Sequence, residues 1–213
     1  MHVIVAIDGP AASGKGTIAK KLAEYFNLSY LDTGVLYRAV ALQMLTDGMN
    51  EEDARSAKNV ARQVSIASID QTRIRTREVS DLASKIAAIP GVRQELLDRQ
   101  RRFAQSPDPG KNGTILDGRD IGTIVCPNAD FKIFIMADLK IRAKRRWKEL
   151  LQSDPNVIYC DVLEEMRSRD ERDTNRKDAP LMVTSGSLVI DTTDKSIDIS
   201  FSEAKNWILS QRF

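Results

Sequence analysis

The fold is decided by the stretch Gly9-Pro10-Ala11-Ala12-Ser13-Gly14-Lys15-Gly16-Thr17. It follows an apolar run of strand length, Val3 to Ile7, and leads into Ile18, Leu22 and Phe26, which lie at helical spacing. The glycines let the backbone curl so that several N–H groups and a helix N-terminus point at one phosphate, and Lys15 adds a cation at its oxygens. We therefore interpret the stretch as a phosphate-binding loop between a strand and a helix.

This loop departs from the strict G-x-x-x-x-G-K-[ST] motif. Gly16 follows the lysine, and the hydroxyl comes one place later, at Thr17. The Gly-Lys-Gly-Thr variant is typical of nucleoside monophosphate kinases. The alternative interpretation is a glycine-rich turn with a solvated lysine.

The rest of the chain alternates apolar runs of strand length with segments of helical period. The predicted strands are Val3 to Ile7, Ser29 to Leu31, Thr114 to Leu116, Phe131 to Ile135 and Leu188 to Ile190. Near the end of the chain, Phe201, Ala204 and Ile208 again lie at helical spacing. This alternation predicts an α/β protein, a parallel five-stranded sheet with helices on both faces.

The composition excludes several classes of protein. With 213 residues, 42% of them hydrophobic and 29% charged, the chain is neither disordered nor fibrous. Its 32 Lys and Arg residues against 30 Asp and Glu leave +2, too little for the global field that binds nucleic acid. No apolar run reaches the ~20 residues of a membrane span, and the first residues lack a basic leader. We expect a soluble, cytoplasmic protein that binds neither membranes nor nucleic acid.

Histidine and cysteine chemistry are also disfavoured. The only histidine is the terminal His2, and the two cysteines, Cys126 and Cys160, match no metal or redox spacing. Any chemistry must therefore use Arg, Lys, Asp and backbone groups.

The segment between residues 51 and 102 is mostly helical and rich in arginine, which indicates an insert. Two β-prone runs in it, Val64 to Ile69 and Arg73 to Thr76, predict little more than one hairpin. The polar run from Ser106 to Gly113 is then the loop that returns to the central sheet.

A second anion site is indicated by the run Leu31-Asp32-Thr33-Gly34-Val35-Leu36-Tyr37-Arg38. We expect Thr33 to cap a helix that starts at Val35, and the exposed N–H groups of that helix to bind an anion. Arg38 would be a bidentate phosphate partner. Read alone, the run is only a capped helix.

A third motif, Leu116-Asp117-Gly118-Arg119-Asp120-Ile121-Gly122, follows a predicted strand. The carboxyl ends of strands in an open α/β sheet face the ligand crevice, so Arg119 and Asp120 should lie beside a substrate. The alternative is a surface turn with a local ion pair.

Two clusters of arginines lie at helical spacing. They are Arg142, Arg145 and Arg146 in the first cluster, and Arg169, Arg172, Asp173 and Arg176 in the second. Guanidinium groups on one helix face repel each other unless an anion lies between them. A solvated surface balanced by nearby carboxylates is an equal alternative for the first cluster, whereas we favour function for the second.

Taken together, the motifs resemble bacterial cytidylate kinases over nearly the whole chain. The resemblance is carried by Ile7-Asp8-Gly9-Pro10, Gly14-Lys15-Gly16-Thr17, Leu31 to Arg38, Ile74-Arg75-Thr76, Glu78-Val79, Val92-Arg93, Asp117 to Thr123 and Arg169 to Arg176. It implies a single P-loop kinase domain over residues 1–213, with a nucleoside-monophosphate-binding insert at about residues 39–105 and a short lid at about residues 147–176. It further implies a monomer that uses ATP and Mg²⁺ to phosphorylate CMP and dCMP.

The resemblance also assigns roles to individual residues. Thr33, Arg38 and Arg119 would hold the acceptor phosphate, and Ser84, Arg93 and Asp120 would contact the cytosine. Arg169 and Asp173 would reach the ribose. The groups at the transferring phosphoryl group would be Lys15, Arg119, Arg146, Arg169 and Arg176, the last three from the mobile lid side. Residues 9–17 would bind ATP, with Thr17 on the magnesium side.

Two rival functions remain at this point. One is a P-loop kinase for another small acceptor, such as UMP, shikimate or dephospho-coenzyme A. The other is a switch or motor that binds nucleotide to control a partner. A switch would need no acceptor for ATP turnover, and the chain lacks the Asn-Lys-x-Asp guanine motif.

Overall fold

A computed structural model describes residues 2–65, 73–152 and 154–211. The strands are β1 (Val3–Asp8), β2 (Ser29–Asp32), β3 (Gly113–Gly118), β4 (Phe131–Met136) and β5 (Leu188–Asp191). The helices are α1 (Lys15–Phe26), α2 (Thr33–Thr46), α3 (Ala54–Gln63), α4 (Arg77–Ile86), α5 (Pro90–Gln105), α6 (Leu139–Leu150), α7 (Tyr159–Asn175) and α8 (Ile197–Gln211). A single π-helical turn spans Ile121–Val125.

The five strands form one parallel sheet with the order β2-β3-β1-β4-β5. Side chains alternate across β1, so Val5 and Ile7 pack with α1 and α8 on one face. Ala6 points to the other face, where it packs with Ala104 of α5 and the π-helical turn. The predicted fold class, a parallel five-stranded sheet with helices on both faces, is therefore confirmed, and each of the five strands predicted for this sheet is present.

A second apolar core lies away from the sheet, among α2, α3, α4 and α5. Its fully buried members include Val40 and Met44 of α2, Leu82 of α4 and Leu96 of α5. An N-terminal cap defines the start of α3, where the Asp53 side chain accepts the N–H groups of Arg55 and Ser56. No helix among the described residues is long and apolar enough to cross a membrane.

The strand predicted at Arg73 to Thr76 is wrong. These residues form turns, with Ile74 buried, and the Thr76 side chain accepts the N–H of Val79 at 3.4 Å to start α4. Local β propensity is overridden here by the helix that follows. Of the other predicted run, Val64 and Ser65 are not in a strand, and residues 66–72 lie outside the described part of the chain.

The phosphate-binding loop begins at a close contact between β1 and β4. Gly9 has φ +154°, and a Cβ at this position would lie 2.0 Å from the carbonyl oxygen of Ile135. Only glycine fits both the backbone angle and the space.

We predict that Gly9→Ala lowers the free energy of unfolding by about 3 kcal/mol, because a methyl group would force β4 away. The matched control is Gly110→Ala: Gly110 has φ +82° but nothing within 4 Å of the added Cβ. Backbone strain alone should cost the control about 1 kcal/mol. Urea unfolding measures both values, and equal losses for the two variants would contradict the close contact.

Candidate active site

The phosphate-binding loop turns sharply into α1. Gly14 has φ +92° and lies just before the helix, which begins at Lys15, so the loop backbone and the N-terminus of α1 face the same space. The Lys15 Nζ lies 3.5 Å from the carbonyl oxygen of Pro10, so the side chain folds back over the loop. Ser13 is fully buried beneath it. The predicted strand, loop and helix are present in register.

Lys15 lies in a strongly perturbed environment. Burial, and then the charge of Arg119, lower the pKa of its ammonium group to about 8. The carboxylates of Asp117 and Asp32 oppose this decrease. The lysine is thus held charged near neutral pH by carboxylates while it faces another cation.

These two carboxylates were missed as site residues by the sequence analysis. Asp32 ends β2, and Asp117 lies one residue before the end of β3, so both sit at the carboxyl edge of the sheet. Tyr30 donates its hydroxyl hydrogen to Asp117 at 2.6 Å, and burial raises the pKa of Asp117. Their position at the ends of parallel strands is the signal that could have identified them.

Thr33 does not cap a helix as predicted. Helix α2 begins at Thr33 itself, and the buried Thr33 hydroxyl donates to the carbonyl oxygen of Asp117 at 2.8 Å. The hydroxyl therefore ties α2 to β3 instead of satisfying N–H groups in its own helix, which leaves the first turn without a side-chain cap.

Arg38 folds back over this uncapped helix start. It pairs with Asp32 at 2.7 Å, and a Cβ on Gly34 would lie 2.9 Å from its Nη1. Although burial alone would raise the pKa of Asp32, Arg38 and Lys15 hold it below its ordinary value. A guanidinium group and free helix N–H groups thus meet at one point, as expected for an anion site.

Arg119 extends from the end of β3 toward α7 and pairs with Asp173 at 2.9 Å. It makes no local ion pair with Asp120, so that alternative is wrong. Arg169 lies beside them: burial and the charge of Arg119 lower the pKa of Arg169 to about 10. Although burial alone would raise the pKa of Asp173, Arg119, Arg169 and Arg176 hold it below its ordinary value. One carboxylate thus faces three guanidinium groups.

Asp120 instead pairs with Arg93, which α5 brings from the other side of the cleft. Both side chains are largely buried, at 11% exposure for Arg93 and 8% for Asp120. The guanidinium carbon of Arg93 lies 6.0 Å from the centre of the Tyr37 ring, which helps to orient it. Tyr37 was not among the predicted site residues.

The predicted site residues converge on one cleft of about 500 Å³. Those lining it are Ala11, Ala12, Gly14, Lys15, Gly16, Thr17, Thr33, Arg38, Ser84, Arg93, Arg119, Asp120, Arg146, Arg169, Asp173 and Arg176. Gly9, Pro10 and Ser13 are buried and do not line it.

Several buried polar atoms around the cleft have no hydrogen-bond partner in the part of the chain that the structure describes. They are the Nε atoms of Arg38 and Arg169, Nη2 of Arg176 and the Ser84 hydroxyl. Unpaired buried donors are costly, and a ligand with several oxygens would satisfy them.

In the first arginine cluster, two side chains make structural hydrogen bonds and the third lines the cleft. Arg142 is buried and bonds the carbonyl oxygen of Ala137 at 2.8 Å and the carboxylate of Asp170 at 2.6 Å. Arg145 bonds the carbonyl oxygen of Thr192 at 2.6 Å. Only Arg146 lines the cleft. Arg142 thus pairs with a carboxylate, but it is buried, so neither the predicted anion-binding face nor the solvated surface is correct for it.

Ion pairs cross the mouth of the cleft between α4 and α7. Arg172 pairs with Asp81 at 2.8 Å, and Arg77 pairs with Glu165. These residues are partly exposed, so each pair adds little to stability. The contacts join the two walls of the cleft.

The chain resembles known proteins over its whole length. The sequence profile of the cytidylate kinase family matches residues 5–206. A protein named cytidylate kinase from Paramagnetospirillum magneticum is 50% identical over 212 residues, covering 100% of both chains. Another of that name from Azorhizobium caulinodans is 46% identical over 202 residues, covering 95% of this chain and 96% of the relative.

Solved structures resemble the fold at low sequence identity. A shikimate kinase from Bacteroides thetaiotaomicron superposes with a TM-score of 0.53 at 10% identity, covering 98% of this chain and 99% of that one. The likeness supports the P-loop kinase fold.

The charge on Lys15 should make it a source of instability in the ligand-free protein. Its pKa of about 8 lies below the ordinary 10.5, so the unfolded chain holds this proton more tightly between those pH values. The folded state is therefore penalised below pH about 8, and the penalty disappears as pH rises through 10.5.

We predict that Lys15→Met raises the melting temperature at pH 7 by a few degrees, since about 1 kcal/mol corresponds to about 2 to 4 °C for a chain of this size. Lys144→Met, at an exposed position on α6, is the control and should change it little. Calorimetry of the ligand-free proteins measures the difference. A melting temperature lowered by Lys15→Met would mean that the lysine stabilises the loop.

Proposed function

The chain belongs to the cytidylate kinase family, and we propose that it transfers the γ-phosphoryl group of ATP to the phosphate of CMP or dCMP. The observation that carries the proposal is the meeting of Lys15, Arg119 and Arg169 in one cleft, where Arg119 lowers the pKa of both other cations and Arg169 lowers that of Lys15. Such mutual repulsion is relieved when polyanions enter between the cations. Two nucleotides supply that charge.

ATP would bind on the phosphate-binding loop. The N–H groups at the start of α1 and the Lys15 ammonium would contact its β- and γ-phosphates. Thr17, in the first turn of α1, would hold Mg²⁺ together with phosphate oxygens and water, because Mg²⁺ keeps most of its hydration. The described residues contain no cluster of three or more His, Cys, Asp or Glu side chains suited to a metal, which is consistent with an ion carried in by the nucleotide. Bound Mg²⁺ would neutralise charge on the transferring phosphoryl group.

The acceptor phosphate would bind at the start of α2. Arg38 already lies over the uncapped first turn, and Arg119 approaches from β3. The Thr33 hydroxyl would donate to the phosphate by turning away from the Asp117 carbonyl oxygen, 2.8 Å away. This position faces Lys15 across the cleft.

The cytosine would be recognised by the Arg93–Asp120 pair and by Ser84. The pair places a hydrogen-bond donor and an acceptor side by side. Cytosine presents the complementary pattern, an amino donor at position 4 and an acceptor at N3, whereas uracil reverses both. The unpartnered Ser84 hydroxyl would add a further contact. Arg169 and Asp173 would reach the ribose.

The chemistry needs no general base, because the attacking phosphate oxygen is already anionic. That oxygen forms a bond to the γ-phosphorus as the bond to the bridging oxygen breaks, and ADP leaves with the electron pair. The protein must hold the reactants in line and neutralise the oxygens between them. Lys15, Arg119, Arg146, Arg169 and Arg176 would do this.

The walls of the cleft would correspond to the two mobile parts of such a kinase. Residues 39–105 would be the monophosphate-binding insert, supported by its separate apolar core, and residues 147–176 the lid. The ion pairs between α4 and α7 are contacts that such motion would break and remake. We further propose a monomeric, cytoplasmic enzyme; size-exclusion chromatography tests the monomer.

A coupled assay for ADP formation over CMP, dCMP, UMP, AMP and GMP tests the function. We expect fast turnover with CMP and dCMP, a much smaller rate with UMP, and no turnover without an acceptor nucleotide. Lys15→Met should be slower by about 10² to 10³-fold. ATP hydrolysis that is independent of acceptor would instead support a switch or motor.

We predict that Asp120→Asn reduces the preference for CMP over UMP, chiefly by losing activity on CMP. The wild-type preference should be roughly tenfold to a hundredfold, because each base-edge pair discriminates by about 1 to 3 kcal/mol. An amide can turn its N–H toward the uracil oxygen, whereas a carboxylate repels it. The measurement is kcat/KM for both nucleotides, with Asp98→Asn on the exposed face of α5 as the control. If the ratio of kcat/KM for CMP to kcat/KM for UMP is unchanged, Asp120 serves only as the ion-pair partner of Arg93 and does not discriminate between the bases.

We predict that Arg169→Ala lowers kcat by roughly 10²-fold and changes KM for CMP much less, because its charge is needed most in the transition state. The matched control is Arg167→Ala, an exposed arginine of the same helix that pairs with Glu164 at 3.6 Å. Steady-state kinetics at saturating ATP separate the two constants. A raised KM with unchanged kcat would make Arg169 a ground-state substrate ligand.

A further inference from the structure

One buried carboxylate has no part in the chemistry described above. Asp8 is the last residue of β1 and is 4% exposed. Its Oδ1 accepts the N–H of Ile121 and its Oδ2 accepts the N–H of Gly122, each at 2.8 Å. Both carboxylate oxygens are thus used by consecutive backbone donors on another element.

These two bonds join the halves of the cleft. Asp8 directly precedes Gly9 of the phosphate-binding loop, and Ile121 directly follows Asp120. The carboxylate therefore connects the start of the donor loop to the turn that carries Arg119 and Asp120.

The fit around the carboxylate is close. A Cβ on Gly122 would lie 3.3 Å from the Asp8 Oδ2 and 3.4 Å from the Lys132 Cδ. The absence of a side chain at Gly122 is what lets the carboxylate reach two neighbouring N–H groups. The π-helical turn begins at Ile121, so these bonds also fix where that turn starts.

We propose that Asp8 is a positioning residue for the acceptor nucleotide: its two hydrogen bonds hold the turn at Ile121 and Gly122 so that Asp120 meets the cytosine edge. The inference rests on the proposed function, because it concerns how that site recognises CMP. Asp8 itself touches no reactant.

Only the ionised carboxylate can accept both N–H groups with full strength, because a protonated oxygen would direct its own hydrogen at a donor. Burial, opposed by the two backbone bonds, raises the pKa of Asp8 to about 6. Among the charged groups that face it, Asp120 raises this pKa and Arg119 lowers it.

Two further elements bring titratable groups to this position. Cys126, which follows the π-helical turn, has its thiol pKa raised to about 11 by burial, with a contribution from Asp8. Lys132 of β4 directs its ammonium away, to the carbonyl oxygen of Pro127. Asp8, with a pKa of about 6, ionises between pH 5 and 8.

Stability alone does not explain a charge at this position. The folded-state pKa of about 6 exceeds the ordinary value of 3.8, so the folded chain holds this proton more tightly than the unfolded chain does. The ionised group therefore penalises the fold above pH about 6, and the penalty is relieved as pH falls through this range. A buried charge with this cost is consistent with a role in the site.

Asp8→Asn is the variant that tests the inference. The amide has nearly the same shape, but its NH₂ group would meet one of the two N–H donors. We expect KM for CMP to rise roughly tenfold or more, since an unpaired buried donor costs about 1 to 3 kcal/mol. KM for ATP should stay within twofold, and the preference for CMP over UMP should fall.

The pH dependence of CMP binding distinguishes a positioning role of Asp8 from a merely structural one. The dissociation constant for CMP is measured calorimetrically between pH 5 and 8 for wild type and Asp8→Asn. The CMP phosphate itself titrates near pH 6, but equally for both proteins, so the ratio of the two constants isolates Asp8. We expect a ratio of roughly ten at pH 8 that falls toward one at pH 5, where wild type is protonated.

Asp130→Asn is the matched control. Asp130 also accepts a backbone N–H of β1, that of Ile4 at 2.8 Å, but at the opposite end of the strand. The variant Asp130→Asn should leave KM for ATP and KM for CMP unchanged. The inference is overturned if Asp8→Asn raises KM for ATP and CMP alike, or if the ratio of dissociation constants does not vary with pH. If wild type fails to phosphorylate CMP at all, the proposed function itself is wrong.

Discussion

The cleft depends on carboxylates that offset the repulsion among the cations gathered in it. Two unit charges 4 Å apart repel by about 4 kcal/mol at an effective dielectric constant of 20, so unpaired cations could not be gathered here. Carboxylates offset this repulsion one by one: Asp32 pairs with Arg38, Asp173 with Arg119 and Asp120 with Arg93. Each pair uses part of a guanidinium group and leaves other donors for a ligand, as the unpartnered Nε of Arg38 illustrates. The site is thus organised by ion pairs among its own residues.

The parallel sheet is what brings these carboxylates together. Asp8, Asp32 and Asp117 are far apart in sequence, yet all lie at or beside the carboxyl ends of β1, β2 and β3, which are neighbours in the sheet. The same edge carries the phosphate-binding loop and the turn after β3. The proposed donor and acceptor sites therefore share one edge of the sheet, while α4 and α7 contribute walls of the cleft.

The sequence predicted what local patterns determine. Short-range periodicity is enough to predict the strands and the glycine-rich loop. The rule that strand ends face the crevice is enough to predict that the arginines near them lie in the site. The failures came from long-range contacts: Thr33 bonds a carbonyl group 84 residues away, and Arg142 pairs with a carboxylate 28 residues away. Such contacts depend on tertiary packing, which residue spacing does not encode. The error at residues 73–76 is local instead, because these turns serve the helix that directly follows.

The central claim is that the cleft brings two nucleotides together and excludes water from the phosphoryl group between them. The most direct measurement follows the γ-phosphoryl group of radiolabelled ATP in a single turnover with CMP present. We predict that almost all of the label passes from ATP to CDP and that hydrolysis to inorganic phosphate is far slower. The reason is that closure of the cleft around the two nucleotides excludes water, so the acceptor phosphate receives the phosphoryl group. Label released mainly as inorganic phosphate, at a rate unchanged by CMP, would contradict it.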